Sequence, residues 1–268
     1  QLIDMRGFGI GDGYQNIVVS INGRRMNNID MSQQLLSSIS LNDIDRIEIT
    51  KGSGSVIYGD GATAGSIQIY TKNISSNSIS LGFGNDGQRT GSFSAGLSEQ
   101  YFQLSVSGDH SELDGFSDAD VTGFKDDSSN NNSRIMLHVL PIESLKLSIG
   151  KDHSNIDTRY PGSLSLVEFN ADPEQNSGNT YNQQSFSTDT VSFGITASVS
   201  DNLDISLNHS KETKESNLIT FNLLSDYDYK SDEVLLNYTH SKFKLTTGVQ
   251  RFDGDRSQFG FGANITTK

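Results

Sequence analysis

The sequence predicts a mainly β fold: part of an antiparallel transmembrane β-barrel, about ten strands, preceded by a small α+β domain. Three observations predict this. Apolar and polar residues alternate almost without exception from Ser78 onward, which is the period of a half-buried strand. Short turns at one end of these strands alternate with longer polar connections at the other end. Residues 1–72 instead mix strand and helix patterns.

The first predicted domain, residues 1–72, has a modest apolar core. The run "NIVVSING" (16–23) predicts a strand that ends at a turn, and "SQQLLSS" (32–38) predicts a short helix with Ser32 as its N-cap. The runs "DIDRIEITK" (43–51) and "SIQIYTK" (66–72) predict two alternating strands. The candidate core residues are Ile44, Ile47, Ile49, Ile67 and Ile69.

The second predicted domain, residues 73–268, contains ten alternating runs with one apolar and one polar face each. In chain order they are "SISLGFG", "SFSAGLS", "YFQLSVSG", "SRIMLHVLP", "SLKLSIG", "TVSFGITASVS", "NLDISLNHS", "EVLLNYTHS", "KFKLTTGVQ" and "FGFGANI". This domain is predicted to be the N-terminal part of the barrel.

The connections between the runs favour a barrel. Short turns are expected at 98–100, 141–144, 200–202 and 240–242, and longer loops at 108–132, 152–185 and 211–231. Only the first hairpin, around 85–88, is short at the other end. Tyr101, Phe102 and Phe243 follow short turns, where an interfacial aromatic girdle would lie. A soluble β-sandwich also alternates, but the strongly polar second face and the recurring long loops favour the membrane.

Composition excludes several classes of function. The net charge of −13 argues against a nucleic-acid partner, which would need clustered Lys and Arg. The absence of Cys excludes thiolate metal sites and a Cys nucleophile. No apolar stretch is long enough for a transmembrane helix. The chain begins at Gln1, so we expect either a removed leader or a fragment.

The glycine-rich segment "GSGSVIYGDG" (52–61) could first suggest a phosphate-binding loop. It lacks the Gly-Lys-Ser/Thr ending of a P-loop, and no amphipathic helix follows it. The run "GFGIGDG" (7–13) has its glycines in the wrong register for a dinucleotide fingerprint. We therefore expect no nucleotide and no other cofactor.

The segment from Ile21 to Lys72 resembles the second half of the plug domain of TonB-dependent outer-membrane receptors. The matching parts are "ING" (21–23), "IDRIEI" (44–49), "KGSGSVIYG" (51–59) and "GSIQIYTK" (65–72). The run "RGFG" (6–9) also fits that plug. Ser53 replaces the usual Pro and Gln68 a common Asn, and neither change alters the physical argument.

The resemblance implies a packing role for the glycines. A plug inside a barrel must pack its backbone close to the wall, and Gly supplies positive φ without a Cβ. Arg46, Glu48 and Lys51 are expected to face the wall as charge pairs, or else to be a solvated strand face. The residues that carry the plug motif are Gly23, Arg46, Glu48, Lys51, Gly52, Tyr58, Gly59 and Gly65.

Receptors of this family have barrels of about 22 strands with a plugged lumen. Ten strands would form about half of such a wall, and an open sheet edge is costly in lipid. We therefore expect this chain to be an internal fragment of a receptor, without the TonB-binding segment and the remaining strands.

The remaining groups of potentially catalytic or metal-binding residues give little support to an enzyme or a metal site. The five His residues are not paired at ligand spacing. The run "DADVTG" (118–123) resembles the opening of a calcium loop, but Ser129 occupies the position of the bidentate Glu. An acidic extracellular loop is the preferred interpretation, and weak calcium binding stays open. No catalytic triad or carboxylate pair stands out, so we expect no enzyme.

The resemblance implies active import of a scarce nutrient across the bacterial outer membrane, with a ferric siderophore as the leading cargo and cobalamin, haem or another metal chelate as rivals. The expected partners are outer-membrane lipid, the TonB complex and a small extracellular ligand. The alternative is a non-transporting adhesin or β-rich binding protein; a passive porin would not need a plug. The expected ligand contacts are Tyr14, Gln15, Asn27, Asn28 and Asp30 in the plug and Tyr160, Phe169 and Tyr181 in a barrel loop.

Overall fold

The computed structural model of the chain describes residues 3–5, 7, 16–27, 35–52, 59, 61–72, 77–260 and 263–267, the last five by their backbone alone. A first sheet contains β1 (Ile17–Ile21), β2 (Arg24–Arg25), β3 (Ile44–Lys51) and β4 (Gly65–Thr71) in the order β2-β1-β4-β3. β1 runs parallel to β4, whereas the other pairs are antiparallel. Two 3-10 helices, Leu36–Ser38 and Leu41–Asp43, precede β3. We call this unit the plug.

The second sheet, which we call the wall, has ten antiparallel strands that pair in chain order. They are β5 (Ser78–Phe83), β6 (Arg89–Ser98), β7 (Phe102–Leu113), β8 (Ser128–Ile142), β9 (Leu145–Tyr160), β10 (Asn182–Ser200), β11 (Leu203–Leu218), β12 (Leu223–His240), β13 (Phe243–Gly260) and β14 (Ala263–Thr267). One α-helix, α1 (Leu166–Ala171), lies between β9 and β10.

The plug core follows from alternation in β1 and β4 and from the turn after β1. Asn22 and Gly23 have φ of 50° and 87°, as a two-residue hairpin turn requires, and they reverse the chain into β2. Burying an aliphatic side chain contributes roughly 1.5–3 kcal/mol. The buried core consists of Ile17, Val19, Ile21, Ile39, Ala64 and Ile69.

Two of the predicted core residues are not buried. Ile69 belongs to the core, and Ile44 and Ile67 pack against it, but Ile47 and Ile49 are about half exposed. The prediction is wrong for this pair because β3 is the edge strand of the plug sheet. No described residue covers the outer side of β3.

The wall confirms the predicted strand number and the direction of its apolar face. Leu137, Ile149 and Phe193 lie opposite one another across β8, β9 and β10, and the last two are exposed. The plug packs on the opposite, polar face. The side chains of the wall's apolar band therefore point away from the plug instead of meeting those of a second sheet, as a sandwich would require. This is the arrangement of a transmembrane barrel wall.

Aromatic residues mark the short-turn end of the wall, as the sequence predicts. Tyr101 and Phe243 are more than half exposed, and the Phe243 ring lies 5.9 Å from that of Tyr238. Tyr and Phe in such positions suit a membrane–water interface. Among the described residues, no helix has the length and apolar content needed to cross a membrane.

The predicted short turns are confirmed, but the long connections are shorter than the sequence suggests. They span 114–127, 161–181 and 219–222 instead of 108–132, 152–185 and 211–231. The last is a tight connection with a 3-10 helix, Ile219–Phe221. Strand pairing continues beyond the apolar band, where both faces of β11 are mostly polar: the ladder runs unbroken from His209↔Asp232 to Leu218↔Leu223. Alternation therefore marks the apolar band and not the strand ends.

Candidate functional site

The plug is held against the polar face of the wall by side-chain amides and hydroxyls. The amide groups of Asn130 and Asn132 on β8 both donate to the Ser37 carbonyl, at 2.8 and 3.1 Å. The Asn42 amide of the plug donates to the Ser92 hydroxyl on β6 at 2.8 Å. Because these partners lie on inward-facing positions, the polar face of the wall is the surface that positions the plug.

A buried carboxylate anchors the plug near the middle of the wall. Asp43 is 6% exposed and accepts a hydrogen bond from the Ser107 hydroxyl on β7. Burial raises the pKa of Asp43, while the Ser107 bond and the charge of Arg134 oppose that rise. Arg134 itself pairs with Asp152 of β9 at 3.4 Å. The wall therefore supplies a donor and a nearby cation to a carboxylate of the plug.

The β1–β2 hairpin places two arginines against the wall. Arg24 pairs with Glu212 on β11 at 3.3 Å, and both side chains are less than one fifth exposed. The Arg25 guanidinium lies 5.2 Å from the centre of the Phe252 ring on β13. A partly buried ion pair depends on both partners, because either charge alone is poorly solvated there. Arg24 and Glu212 thus form the strongest described electrostatic link between plug and wall.

The glycine-rich segment adopts backbone conformations that favour glycine. Gly52, Gly59, Gly61 and Gly65 all have positive φ. A Cβ on Gly59 would lie 2.8 Å from the side-chain oxygen of Gln250 on β13, so the plug backbone approaches the wall closely there. Tyr58 of the motif lies outside the described residues.

Substituting Gly65 with alanine is expected to disrupt the β3–β4 pair. Its φ is +154°, and an added Cβ would lie 2.2 Å from the Thr50 carbonyl oxygen. Strain and overpacking together should cost roughly 2–5 kcal/mol, seen as faster hydrogen exchange of β3 and β4 amides. Gly23→Ala is the control, since its Cβ would meet nothing within 4 Å and only the positive φ is strained. Equal exchange in both variants would contradict the steric role of Gly65.

The predicted charge pairs of β3 with the wall are wrong for Arg46 and Glu48. The Arg46 guanidinium donates to Glu48 at 2.7 Å and to Asp45 at 3.3 Å, and it stacks 3.9 Å from the Tyr70 ring. All these partners belong to the plug. Arg46 and Glu48 are about half exposed and Lys51 is also exposed, because β3 is an edge strand.

Of the expected plug contacts for a ligand, only Asn27 lies among the described residues; Tyr14, Gln15, Asn28 and Asp30 lie outside them. Asn27 is 6% exposed. Its amide donates to the Ile17 carbonyl at 2.7 Å, and its oxygen accepts from the Val19 N–H at 2.8 Å. The structure corrects the expectation for Asn27, which fixes the chain after β2 against β1 instead of facing solvent.

Two loops at the other end of the wall are joined by several hydrogen bonds, one of which is made by the Asp120 carboxylate. Asp120, between β7 and β8, accepts hydrogen bonds from the backbone and hydroxyl of Thr122, the Phe124 N–H and the Tyr181 N–H. These donors, the Thr122 hydroxyl foremost, lower the pKa of Asp120 to about 2. The carboxylate is already surrounded by donors, which argues against calcium at "DADVTG".

Tyr181, predicted as a ligand contact, is instead the anchor of the second loop. It is 2% exposed, and its hydroxyl donates to the Asp118 carbonyl at 2.7 Å. Burial raises the pKa of this hydroxyl. The expectation of an exposed contact is therefore wrong for Tyr181.

Asp120→Asn is expected to loosen the loop of residues 161–181 from its neighbour. One carboxylate oxygen of Asp120 accepts from Thr122 and Phe124 and the other from the Tyr181 N–H, and the single oxygen of an amide cannot serve both. Limited proteolysis should cut that loop faster in the variant. Asp118→Asn is the control, since the Asp118 carboxylate has no hydrogen bond in the described structure.

The same contact should depend on acidity. The contribution of the ionised Asp120 carboxylate to the stability of the loop contact is complete above about pH 4, since the ordinary pKa of Asp is 3.8. This contribution is lost as the pH falls toward about 2, the pKa of Asp120 in the folded protein. Unchanged proteolysis of Asp120→Asn, or a loop that stays protected at pH 2, would contradict this role.

Tyr160 and Phe169 remain available for a ligand. Both are about half exposed. Phe169 lies on α1, whose first turn is held by a capping box between Ser165 and Glu168. With Pro161 and Leu166, Phe169 lines a cavity of about 440 Å³ at the loop end of the wall.

A larger cavity, about 490 Å³, separates the plug from the wall at the short-turn end. Its plug side includes the Asn22–Gly23 turn and Lys72, and its wall side includes Lys146 and Ser206 near the short turns. The described part of the plug therefore does not fill the space in front of the wall completely.

The residues that join plug and wall were missed by sequence reasoning. Arg24, Asp43 and Glu212 are separated by large sequence distances from their partners, and no local pattern connects them. A charge on an otherwise hydroxyl-rich inward face, such as Glu212 in "SKETKES", was the one available signal.

The comparisons with known proteins agree with this geometry. The family model of the TonB-dependent Receptor Plug Domain matches residues 1–66. Vitamin B12 transporter BtuB of Photobacterium profundum is 31% identical over 137 residues, which cover 48% of this chain and 22% of BtuB.

Solved structures share the fold. The siderophore receptor PiuA from Acinetobacter baumannii aligns with a TM-score of 0.71 at 12% identity, over 95% of this chain and 40% of PiuA. The open form of the ferric-catecholate import receptor Fiu from E. coli K12 aligns with a TM-score of 0.73 at 13% identity, over 97% of this chain and 45% of Fiu. The chain thus spans less than half the length of these proteins. Residues 1–66 thus match the plug domain of TonB-dependent receptors, and the chain shares the fold of these solved receptors, with a plug seated on the polar face of a barrel wall.

Proposed function

We propose that the full-length receptor containing this chain imports a scarce nutrient across the bacterial outer membrane in a TonB-dependent manner. One observation carries the proposal: the plug is fixed to the inward face of the wall by the Arg24–Glu212 ion pair and by hydrogen bonds. A lumen held shut by such contacts needs an energised step to open, whereas a passive pore needs no plug. Ion pairs and hydrogen bonds of this kind can re-form after each transport cycle.

The proposed cargo is a metal chelate, with a ferric siderophore favoured. Two of the similar proteins are a siderophore receptor and a ferric-catecholate import receptor, and the third transports vitamin B12. Tyr160 and Phe169 at the loop end support an aromatic-bearing chelate, because flat π-surfaces stack well on exposed rings. Cobalamin, haem and other metal chelates are the competing cargoes.

Uptake assays test the proposal. Cells that express the full-length receptor should accumulate a labelled cargo from a panel of ferric siderophores, cobalamin and haem, and should stop when TonB is deleted. Binding without any TonB-dependent accumulation of the panel would contradict import and favour a non-transporting surface protein.

The loop-end contact has its own test. Phe169→Ala should weaken binding of the identified cargo to the purified receptor about tenfold if one aromatic stacking contact is lost, about 1.4 kcal/mol. Val167→Ala is the matched control, because Val167 is exposed on the same helix but does not line the cavity. Equal affinities in the two variants would remove Phe169 as a contact.

A further inference from the structure

The cavity at the short-turn end differs in charge from the chain as a whole. The full sequence has 33 acidic and 20 basic residues. Among the described residues of the cavity lining, five are basic and three are acidic, and one of the basic residues, Arg24, is paired with Glu212 outside the lining. The basic residues are Arg24, Arg25, Lys72, Arg134 and Lys146, and the acidic ones are Asp43, Asp152 and Glu233. A cavity with an excess of one charge sign and protein on both sides concentrates solutes of the opposite sign.

The acidic groups of the lining already have partners. Asp43 accepts from Ser107, and Asp152 pairs with Arg134. Glu233 on β12 accepts hydrogen bonds from the amides of Asn208 and Gln250. Asp152 is therefore neutralised by Arg134, whereas the hydrogen bonds of Asp43 and Glu233 come from neutral groups.

Two lysines of the lining have no such compensation. Lys72 donates to the carbonyl oxygen of Asn42 at 2.8 Å, which leaves its positive charge in place. Within the described part of the chain, no carboxylate lies at ion-pair distance from Lys72 or Lys146. One lysine comes from the plug and the other from β9, so the two flank the cavity from opposite sides.

The rest of the lining suits a polar anion. Hydroxyl groups of Ser148, Ser192, Thr196 and Ser206 face the same space, and each can donate a hydrogen bond. The volume of about 490 Å³ lies within the range of small-molecule sites, roughly 300–1,000 Å³.

We propose that this cavity binds a small, water-soluble polyanion, held between Lys72 of the plug and Lys146 of the wall. Carboxylate- or phosphate-bearing molecules, including anionic metal chelates, have the required chemistry. The role as a transit site for an anionic cargo rests on the proposed import function; the anion preference of the cavity does not.

The absence of Cys from this chain permits a direct test with charged thiol reagents. The full-length receptor, with any cysteine elsewhere replaced by serine, receives Ser192→Cys in the cavity or Ser241→Cys in an exposed turn at the same end of the wall. The rates of modification by an anionic sulfonate methanethiosulfonate and a cationic trimethylammonium methanethiosulfonate are then compared.

The anionic-to-cationic rate ratio at Ser192→Cys should exceed that at Ser241→Cys on the order of tenfold, as two nearby cations predict. Adding Lys72→Gln and Lys146→Gln should bring the ratio close to that of Ser241→Cys. Lys146→Gln alone should lower the ratio, and Lys151→Gln is its matched control, because Lys151 lies on the same strand outside the cavity lining and its substitution removes one positive charge, as Lys146→Gln does.

Equal ratios at the two cysteines, no reaction of Ser192→Cys with either reagent, or an equal loss of selectivity in Lys151→Gln would overturn the proposal. These rates need neither cargo nor TonB. A receptor that fails to import any cargo but keeps the anion selectivity would contradict the proposed function alone.

Discussion

Ile149→Arg is expected to destabilise the full-length receptor in a bilayer by roughly 2–4 kcal/mol, the cost of Arg near the midplane of a barrel's lipid face. Ile149 lies on the exposed apolar face of β9, five residues beyond the turn at 143–144. At a rise of about 3.3 Å per residue and a tilt of about 40°, it stands about 12 Å above that turn, half the height of a typical apolar band.

Urea unfolding in lipid vesicles measures the effect. Ser148→Arg is the matched control, since Ser148 is the preceding residue on β9 but faces the cavity, where water can solvate the guanidinium. We expect little loss of stability for that variant. If Ser148→Arg cost as much as Ile149→Arg, the assignment of the two faces would be contradicted.

Glu212→Ala is expected to loosen the plug by about 2–4 kcal/mol. Arg24 is 18% exposed and would lose its only described carboxylate partner, so its charge would be poorly compensated against the wall. Hydrogen exchange of the β1 and β2 amides should accelerate, and ion leakage through the receptor in planar bilayers should rise.

A double-mutant cycle separates this pair from general damage. Arg24→Ala combined with Glu212→Ala should be less harmful than the sum of the two single changes, with a coupling of about 1–3 kcal/mol. The matched control is Glu112→Ala. The charged groups of Arg89 and Glu112 lie 3.5 Å apart, but the two side chains are 57% and 42% exposed. Such exposed pairs contribute less than about 1 kcal/mol. Additive effects of Arg24→Ala and Glu212→Ala would show that the pair does not hold the plug.

Much of the fold could be predicted because it depends on local patterns. Alternation gave the ten wall strands and their apolar face, and the Asn22–Gly23 pair gave the plug hairpin. The strand ends could not be predicted. Beyond the apolar band both faces of β11 are mostly polar. Backbone pairing continues there, and no change in hydropathy marks the end of the strand.

The candidate site could be predicted only in part. Exposure of Tyr160 and Phe169 follows from their position at the loop end. The burial of Asn27 and Tyr181 does not, because it depends on partners such as Ile17 and Asp118 that the fold brings near. An Asn or Tyr in a polar stretch has the same sequence signature whether it binds a ligand or the protein's own backbone.

The central claim is that the wall presents its apolar side to lipid and its polar side to the plug. Spin labels placed one at a time on residues 145–150 of β9, in the full-length receptor in bilayers, test it most directly. Collisions with lipid-soluble oxygen should be high at Leu145, Leu147 and Ile149. Collisions with a water-soluble nickel chelate should be highest at the alternate positions Lys146 and Ser148, which line the cavity, whereas Gly150 is buried and a label there should meet little of the chelate. Labels at 145, 147 and 149 that meet neither quencher, as in a core between two packed sheets, would contradict the account.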